Sequence, residues 1–249
     1  MDVRGKVVLI TGASRGIGAA CADAFARRGA KLSLASRSAI GREGALTTQA
    51  DLTVAAGREL LIQRTVTHYG RIDILVNNAG SGVYGATAEA DPAQLQTMFA
   101  LNLFAPVALI QLVLPHMRAQ GSGAIVNISS VAAEISLPWM TLYSASKAAL
   151  SSVSSGLRRE LEGTAIQITD VLPIYVTTNF QAAAAGKPPE GVLRRRTRAI
   201  SPAQCAESIV RGVERGAKTV VTPTSGWLAV LAQRLLPSVI DSAISKMNR

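Results

Sequence analysis

The chain has 249 residues, 48% of them apolar and 17% charged, a balance that excludes intrinsic disorder and suits one well-filled α/β unit better than two large domains. Its two cysteines, Cys21 and Cys205, belong to no CxxC or Cys/His cluster, so neither a disulfide framework nor a metal site is expected, and a reducing, cytoplasmic setting is. Lys and Arg exceed Asp and Glu by 26 to 16, for a formal charge of +10, but aromatics are only 4% and the basic residues are scattered outside Arg194, Arg195, Arg196 and Arg198, which does not describe a nucleic-acid surface.

The charge leaves two readings open: a field that speeds the approach of an anionic cofactor or substrate, or a basic background composition without functional meaning. At the N-terminus the apolar run from Val7 to Thr11 is too short for a signal peptide or a membrane span. It begins a series of Val- and Ile-rich segments at 6–11, 31–36, 72–77, 124–129, 165–172 and 219–221, separated by longer stretches with helical spacing. Near-continuous apolar strands alternating with helices predict an α/β fold, a doubly wound parallel sheet in a single domain.

Directly after the first strand, Thr11, Gly12, Ala13, Ser14, Arg15, Gly16, Ile17 and Gly18 open a helix predicted to reach about Arg28. Glycine lets a backbone approach a pyrophosphate seated on the positive helix N-terminus, and it also serves any strand-to-helix turn, so this segment alone does not decide between the two. Between Arg37 and Asp51 lie only thirteen residues, and Gly41 and Gly44 predict a loop or single turn there rather than a full helix. Asp91-Pro92 and Ser201-Pro202 each place a capping side chain before a proline at a helix start. His68 and His116 are lone and structural. Residues 181–200 form the one long irregular stretch, and a lid spanning about 174–200 is expected.

Residues 226–249 read as an extension beyond a main domain of 1–225. Leu228, Leu231, Leu235 and Val239 recur at spacings of three and four, broken by Pro237 and flanked by Arg234, Lys246 and Arg249. This predicts a kinked, amphipathic helix pair. Gln233, Arg234 and Asp241 interrupt it too often for a span, which leaves packing on the core or a partner subunit, or peripheral contact with a membrane.

Five motifs stand in order along the chain: TGxxxGxG from Thr11, Asn77-Asn78-Ala79-Gly80 after the fourth strand, Asn102 in a helix, Ser130 after the fifth strand, and Tyr143-x-x-x-Lys147 thirteen residues later. Together they resemble the short-chain dehydrogenase/reductase family, over roughly residues 5–222. The resemblance implies a Rossmann-like fold and hydride transfer with a nicotinamide cofactor. Reducing a carbonyl needs a proton for oxygen as well as a hydride for carbon. A tyrosine can donate that proton, and becomes a base for the reverse reaction when a cation stabilises its phenolate. Lys147, four residues on, shares a helix face with Tyr143 and meets that need. The family resemblance makes Tyr143 the general acid or base, Ser130 rather than Ser129 the hydrogen-bond partner of the substrate oxygen, Lys147 a holder of the nicotinamide ribose, and Asn102 the support of a water relay.

By the same resemblance Gly12, Ser14, Arg15, Gly16, Ile17 and Gly18 cradle the phosphates, and Asn78, Ala79, Gly80, Pro173, Val176 and Thr178 line the nicotinamide side. Ile174 stands where the family usually has glycine, so the backbone there is expected to differ. The second strand ends Ala35-Ser36-Arg37-Ser38, with no carboxylate to bind a ribose 2′-hydroxyl and an arginine able to pair with a 2′-phosphate, so NADP(H) is expected, with Arg15 as a second cation. Asp51 and Leu52 resemble the family's adenine-contacting pair, although Asp51 also reads as a helix cap.

Leu137, Trp139, Met140, Ile174, Phe180, Val192 and Leu193 predict an apolar wall, which suits a small apolar carbonyl or alcohol substrate, ketone or thioester. The arginines at 194–198 either greet an acyl carrier protein or coenzyme A thioester, or form a solvated loop. Family members usually pair through the helices carrying Asn102 and Tyr143, which implies a homodimer or homotetramer. A cofactor-binding regulatory protein and a membrane-surface lipid or steroid reductase are the competing readings.

Overall fold

In the computed structural model, which describes residues 1–186 and 199–246, the Val- and Ile-rich runs form seven parallel strands: β1 (Val7–Thr11), β2 (Lys31–Ser36), β3 (Leu46–Gln49), β4 (Ile74–Asn77), β5 (Gly123–Ile128), β6 (Ile166–Pro173) and β7 (Thr219–Thr222). Their order is β3-β2-β1-β4-β5-β6-β7, so the winding reverses between β1 and β4 and opens a crevice at the strands' carboxyl ends. The helices are α1 (Gly16–Arg27), α2 (Ala55–Tyr69), α3 (Pro92–Phe99), α4 (Ala105–Ala119), α5 (Thr141–Glu160), α6 (Pro202–Glu214), α7 (Gly226–Leu235) and α8 (Pro237–Lys246).

Alternating strand residues divide the core into two layers. Val8 and Ile10 pack with Cys21 and Phe25 of α1 and Ile209 and Val213 of α6, whereas Leu9 packs with Leu61 of α2 and Leu109 and Val113 of α4. Both cysteines lie unpaired in the first layer, and burial pushes the Cys205 thiol up to about 12 and the Cys21 thiol higher still, so both stay protonated. Arg28, just past α1, fastens that helix to α6 by donating to Glu207 and, at 2.9 Å, to Glu214. The expected helix starts are present: Asp91 caps α3 by accepting from the Ala93 amide, and Ser201 forms a capping box with Gln204.

Two details bear on the site. Asn102 lies in a helix as expected, in a single π-type turn, residues 100–104, that joins α3 to α4. The C-terminal helix pair exists, with its axes bent by 111°, but packing on this chain's own core does not account for its apolar pattern. Leu228, Leu231, Leu235 and Val239 all face outward, and the residue that reaches the core is Val230. The loop between β2 and β3 contains no helix, as Gly41 and Gly44 imply.

Candidate active site

The glycine-rich turn is held by Thr11, the last residue of β1. Its hydroxyl donates to the Val76 carbonyl at 3.3 Å and accepts from the Asn78 and Ala79 amides at 2.9 and 3.0 Å, which binds the end of β1 to the segment after β4. Asn78 returns the link, its side-chain amide donating to the carbonyls of Thr11 and Gly12 at 2.8 and 3.2 Å. Gly12 has φ +65° and lies so near Ala79 that a Cβ would stand 2.9 Å from the Ala79 Cα; an L side chain fails there on both counts. Gly18 is buried below the turn, where a Cβ would strike the Gly12 carbonyl. At the start of α1 no side chain caps the first amides and the first turn has no acid, so its N–H groups stand open to an anion.

These elements border one cleft of about 1990 Å³, large enough for a dinucleotide and a second molecule. Gly12, Ser14, Arg15, Gly16, Ile17, Arg37, Leu52, Asn78, Ala79, Gly80, Ser130, Tyr143, Lys147, Pro173, Val176 and Thr178 all line it. Arg15, Arg37 and Lys147 are its charged groups, and among the described lining residues there is no carboxylate. Uncapped amides, glycines admitting close approach and cations without acids suit a phosphorylated dinucleotide. Among the described residues no group of His, Cys, Asp and Glu could hold a metal.

Ser130, Tyr143 and Lys147 line the cleft where the chain passes from β5 to α5. Tyr143 is buried, its ring centroid 5.5 Å from that of Phe180, and Lys147 holds its ammonium 6.0 Å from the Tyr143 ring centroid. The Lys147 Nζ donates to the Ile128 carbonyl at 2.8 Å, which fixes the cation between strand end and phenol. Burial pushes Lys147 down to about 8, with Asp170 opposing that shift. Burial raises Tyr143 well above an ordinary phenol, against the Ser130 hydroxyl that draws it down, so this acid keeps its proton at neutral pH.

The two neighbouring serines differ in their partners. The Ser129 hydroxyl donates to the Lys147 carbonyl at 2.9 Å and accepts from Ser151 at 2.8 Å, so it is spent on α5. Ser130 accepts from the Ala132 amide at 3.1 Å and keeps its O–H for the cleft. Asn102 lies beneath the lining and works as a clamp: it accepts from the Ser81 amide and donates to the Ser81 carbonyl, each at 2.9 Å, and to Ser146 at 3.0 Å. Ser146 in turn donates to the Tyr143 carbonyl at 2.7 Å, so the turn at 100–104 locks the helix that carries the phenol. Gly80 sits between the Asn102 Oδ1 and the Lys147 Nζ, 3.2 and 3.5 Å from where a Cβ would stand.

Asp51 is not in the cleft wall. Its carboxylate accepts from the Thr53 amide and hydroxyl at 2.9 and 2.7 Å, and it is not the cap of α2 either, since that position belongs to Val54. Leu137, Met140, Ile174 and Phe180 form the apolar wall, but Trp139 does not: it takes φ +64° in the loop before α5, where its carbonyl accepts from the Gly85 amide. Val192, Leu193 and the arginines 194, 195, 196 and 198, with the rest of segment 187–198 of the expected lid, lie outside the described residues. Ile174 does not adopt a glycine-like φ; its side chain packs against Gly226 at the start of α7.

Three groups were missed by sequence reasoning. Asp170 is buried on β6 with an unpartnered Oδ1, Tyr84 brings a buried hydroxyl to the cleft, and Asn127 ties β5 to both Asn77 and Ser154 at 2.9 Å. A polar residue amid an apolar strand run was the available signal for Asn127 and Asp170.

Residues 6–188 match the family described as short chain dehydrogenase. Ketoacyl reductase HetN of Nostoc sp. is 39% identical over 187 residues, 70% of this chain, and the chain spans 64% of that relative's length. A short chain dehydrogenase/reductase from Burkholderia phymatum, solved in complex with NAD, superposes with a TM-score of 0.86 at 25% identity over 94% of both chains. A short chain dehydrogenase from Burkholderia cenocepacia, in complex with NADP, gives 0.82 at 25% identity over 98% of this chain and 99% of its own.

Proposed function

Since the chain belongs to the short-chain dehydrogenase family, we propose that it is an NADP(H)-dependent oxidoreductase that interconverts a carbonyl and an alcohol on an apolar substrate, of ketone or 3-oxoacyl thioester type. The observation that carries this reading is the convergence of Ser130, Tyr143 and Lys147 at one end of a cleft whose other end holds Arg15 and Arg37. A bound nicotinamide supplies or accepts the hydride.

The chain's own residues handle position and proton. Ser130 and Tyr143 donate to the substrate oxygen, Tyr143 passes its proton to that oxygen as negative charge grows there, and the Lys147 ammonium stabilises the phenolate left behind. In the reverse direction the same phenolate is the base. Arg37, just past β2, lines the cleft while Asp51, whose carboxyl its charge helps draw down, does not; the arginine favours a 2′-phosphate over a bare ribose, and Arg15 adds a second cation. Leu137, Met140, Ile174 and Phe180 desolvate the substrate's apolar part and exclude sugars, whose hydroxyls would go unpaired.

The test is NADPH consumption, followed by absorbance, over a panel of aliphatic and aromatic ketones, 3-oxoacyl thioesters, steroids and quinones. Tyr143→Phe should lower kcat by on the order of a thousandfold, in line with loss of a positioned acid, while NADPH affinity stays within a few-fold. Turnover retained in that variant refutes the role of Tyr143. A silent panel despite tight NADPH binding favours a regulatory protein on this scaffold.

A further inference from the structure

The outer face of the C-terminal helix pair concentrates the molecule's exposed apolar side chains. Of the eight large apolar residues exposed among the described residues, five fall within twelve positions: Leu228, Leu231, Leu235, Leu236 and Val239, with Leu228 and Leu235 about three-quarters exposed. The others, Val54, Leu60 and Phe104, lie elsewhere along the chain. Isolated exposed apolar side chains are ordinary; a contiguous set marks a surface that something covers.

The inner side of the same pair belongs to the active-site cleft, since Ala229 of α7 and Ile244 of α8 line it. The pair is therefore a rim with one side on the cleft and an apolar outer face. Each helix has ten residues, about 15 Å of rise, against a hydrocarbon thickness of about 30 Å. With a 111° bend between them they do not cross a bilayer, but two intersecting axes share a plane and can lie in an interface.

We propose that this helix pair seats the protein on an anionic lipid bilayer surface, with the cleft rim against the lipid so that an apolar substrate enters from it. The charge selects this occupant over a second copy of the chain. Arg234 of α7 is spent on Glu134, to which it donates at 2.9 and 3.1 Å, so the charge that matters is that of the whole chain, +10. A two-fold contact would bring two such chains together, whereas anionic headgroups complement them. Substrate entry from lipid rests on the proposed carbonyl reduction; docking does not.

The experiment is co-sedimentation of the full chain with vesicles of phosphatidylcholine alone and of phosphatidylcholine with about a third phosphatidylglycerol, an anionic fraction large enough to raise a surface potential. The same preparation is run with Leu228→Glu and Leu235→Glu combined. We expect binding to the anionic vesicles, weakened by added salt, and at least a tenfold loss of partitioning in the double variant, with NADPH turnover of a water-soluble ketone unchanged. The proposal is overturned if the unaltered chain stays in the supernatant with both vesicles, or if the double variant sediments as the parent does. It is also overturned if light scattering shows the substitutions splitting a dimer while neither protein binds vesicles, since the face then belongs to a second copy. Sedimentation as expected with no turnover of any carbonyl would sink the proposed reaction and leave the docking surface standing.

Discussion

Asp170 is a buried carboxyl near the site. It is 5% exposed, its Oδ1 has no hydrogen-bond partner, and burial pushes its carboxyl up to about 6; Ser151, Arg158 and Lys147 pull it down and Glu134 pushes it up. A carboxyl raised in the folded state contributes stability through its protonated form. That contribution is complete below the ordinary value near 4 and is lost as pH rises through 6. Between pH 4 and 7 this group should lower the unfolding free energy by on the order of 3 kcal/mol. Asp170→Asn should therefore be more stable than the parent at pH 7, with the gap closing at pH 4, in urea unfolding at both values. Equal stability at pH 7 would refute the assignment. At the other end of the cleft, Arg37→Asp should reduce NADPH kcat/KM relative to NADH by roughly 10- to 100-fold, the worth of a charge-assisted hydrogen bond; an unchanged ratio means that Arg37 is merely solvated. Ser130, Tyr143, Lys147 and Arg37, which the structure brings to one cleft, were singled out in the sequence by residue type, spacing and the family resemblance. Asp170 was not, because nothing in the spelling of β6 says which neighbour a buried acid lacks.

The loop replacing a helix between β2 and β3 follows from Gly41 and Gly44, the latter at φ +71°, and was legible for that reason. The π-type turn at 100–104 was not, because it depends on Asn102 meeting Ser81 and Ser146, which are 21 and 44 residues away. Close approach is likewise invisible in a glycine's letter. Gly57, in the first turn of α2, lies so near the Asp51 carbonyl that any Cβ collides with it. Gly57→Ala should therefore destabilise the protein by about 1–3 kcal/mol through overpacking, although alanine in a helix is otherwise favoured over glycine by about 1 kcal/mol. Thermal unfolding decides between the two effects, and a stabilised variant would mean that the helix shifts freely. Gly226 makes the same kind of contact with Ile174, so the replacement of the family's usual glycine at 174 and the docking of α7 are one packing event. The amphipathic spacing of 226–249 announced helices correctly; it could not say that their apolar side faces away from the core.

The cleft draws its walls from the turn after β1, from β2 and from α1 on one side of the winding reversal and from β5, β6 and α5 on the other, so a ligand spanning it links both halves of the sheet. Anything that binds only the folded chain stabilises the whole of it by mass action, by about 2.7 kcal/mol at a free concentration of 100 times Kd. For a domain of this length each kcal/mol moves Tm by roughly 2–4 °C, so NADPH at that concentration should raise Tm by roughly 5–10 °C. At the same concentration NADH should raise it less, because the cleft offers Arg15 and Arg37 to a 2′-phosphate that NADH lacks. Tyr143→Phe should keep the NADPH shift, since the phenol touches the reacting end and not the phosphates, and Arg37→Asp should remove most of the difference between the two dinucleotides. Thermal unfolding of the three proteins with each cofactor separates binding from turnover without needing a substrate. Equal shifts by NADH and NADPH in the unaltered chain would overturn the cofactor assignment and leave the Ser130, Tyr143 and Lys147 chemistry intact.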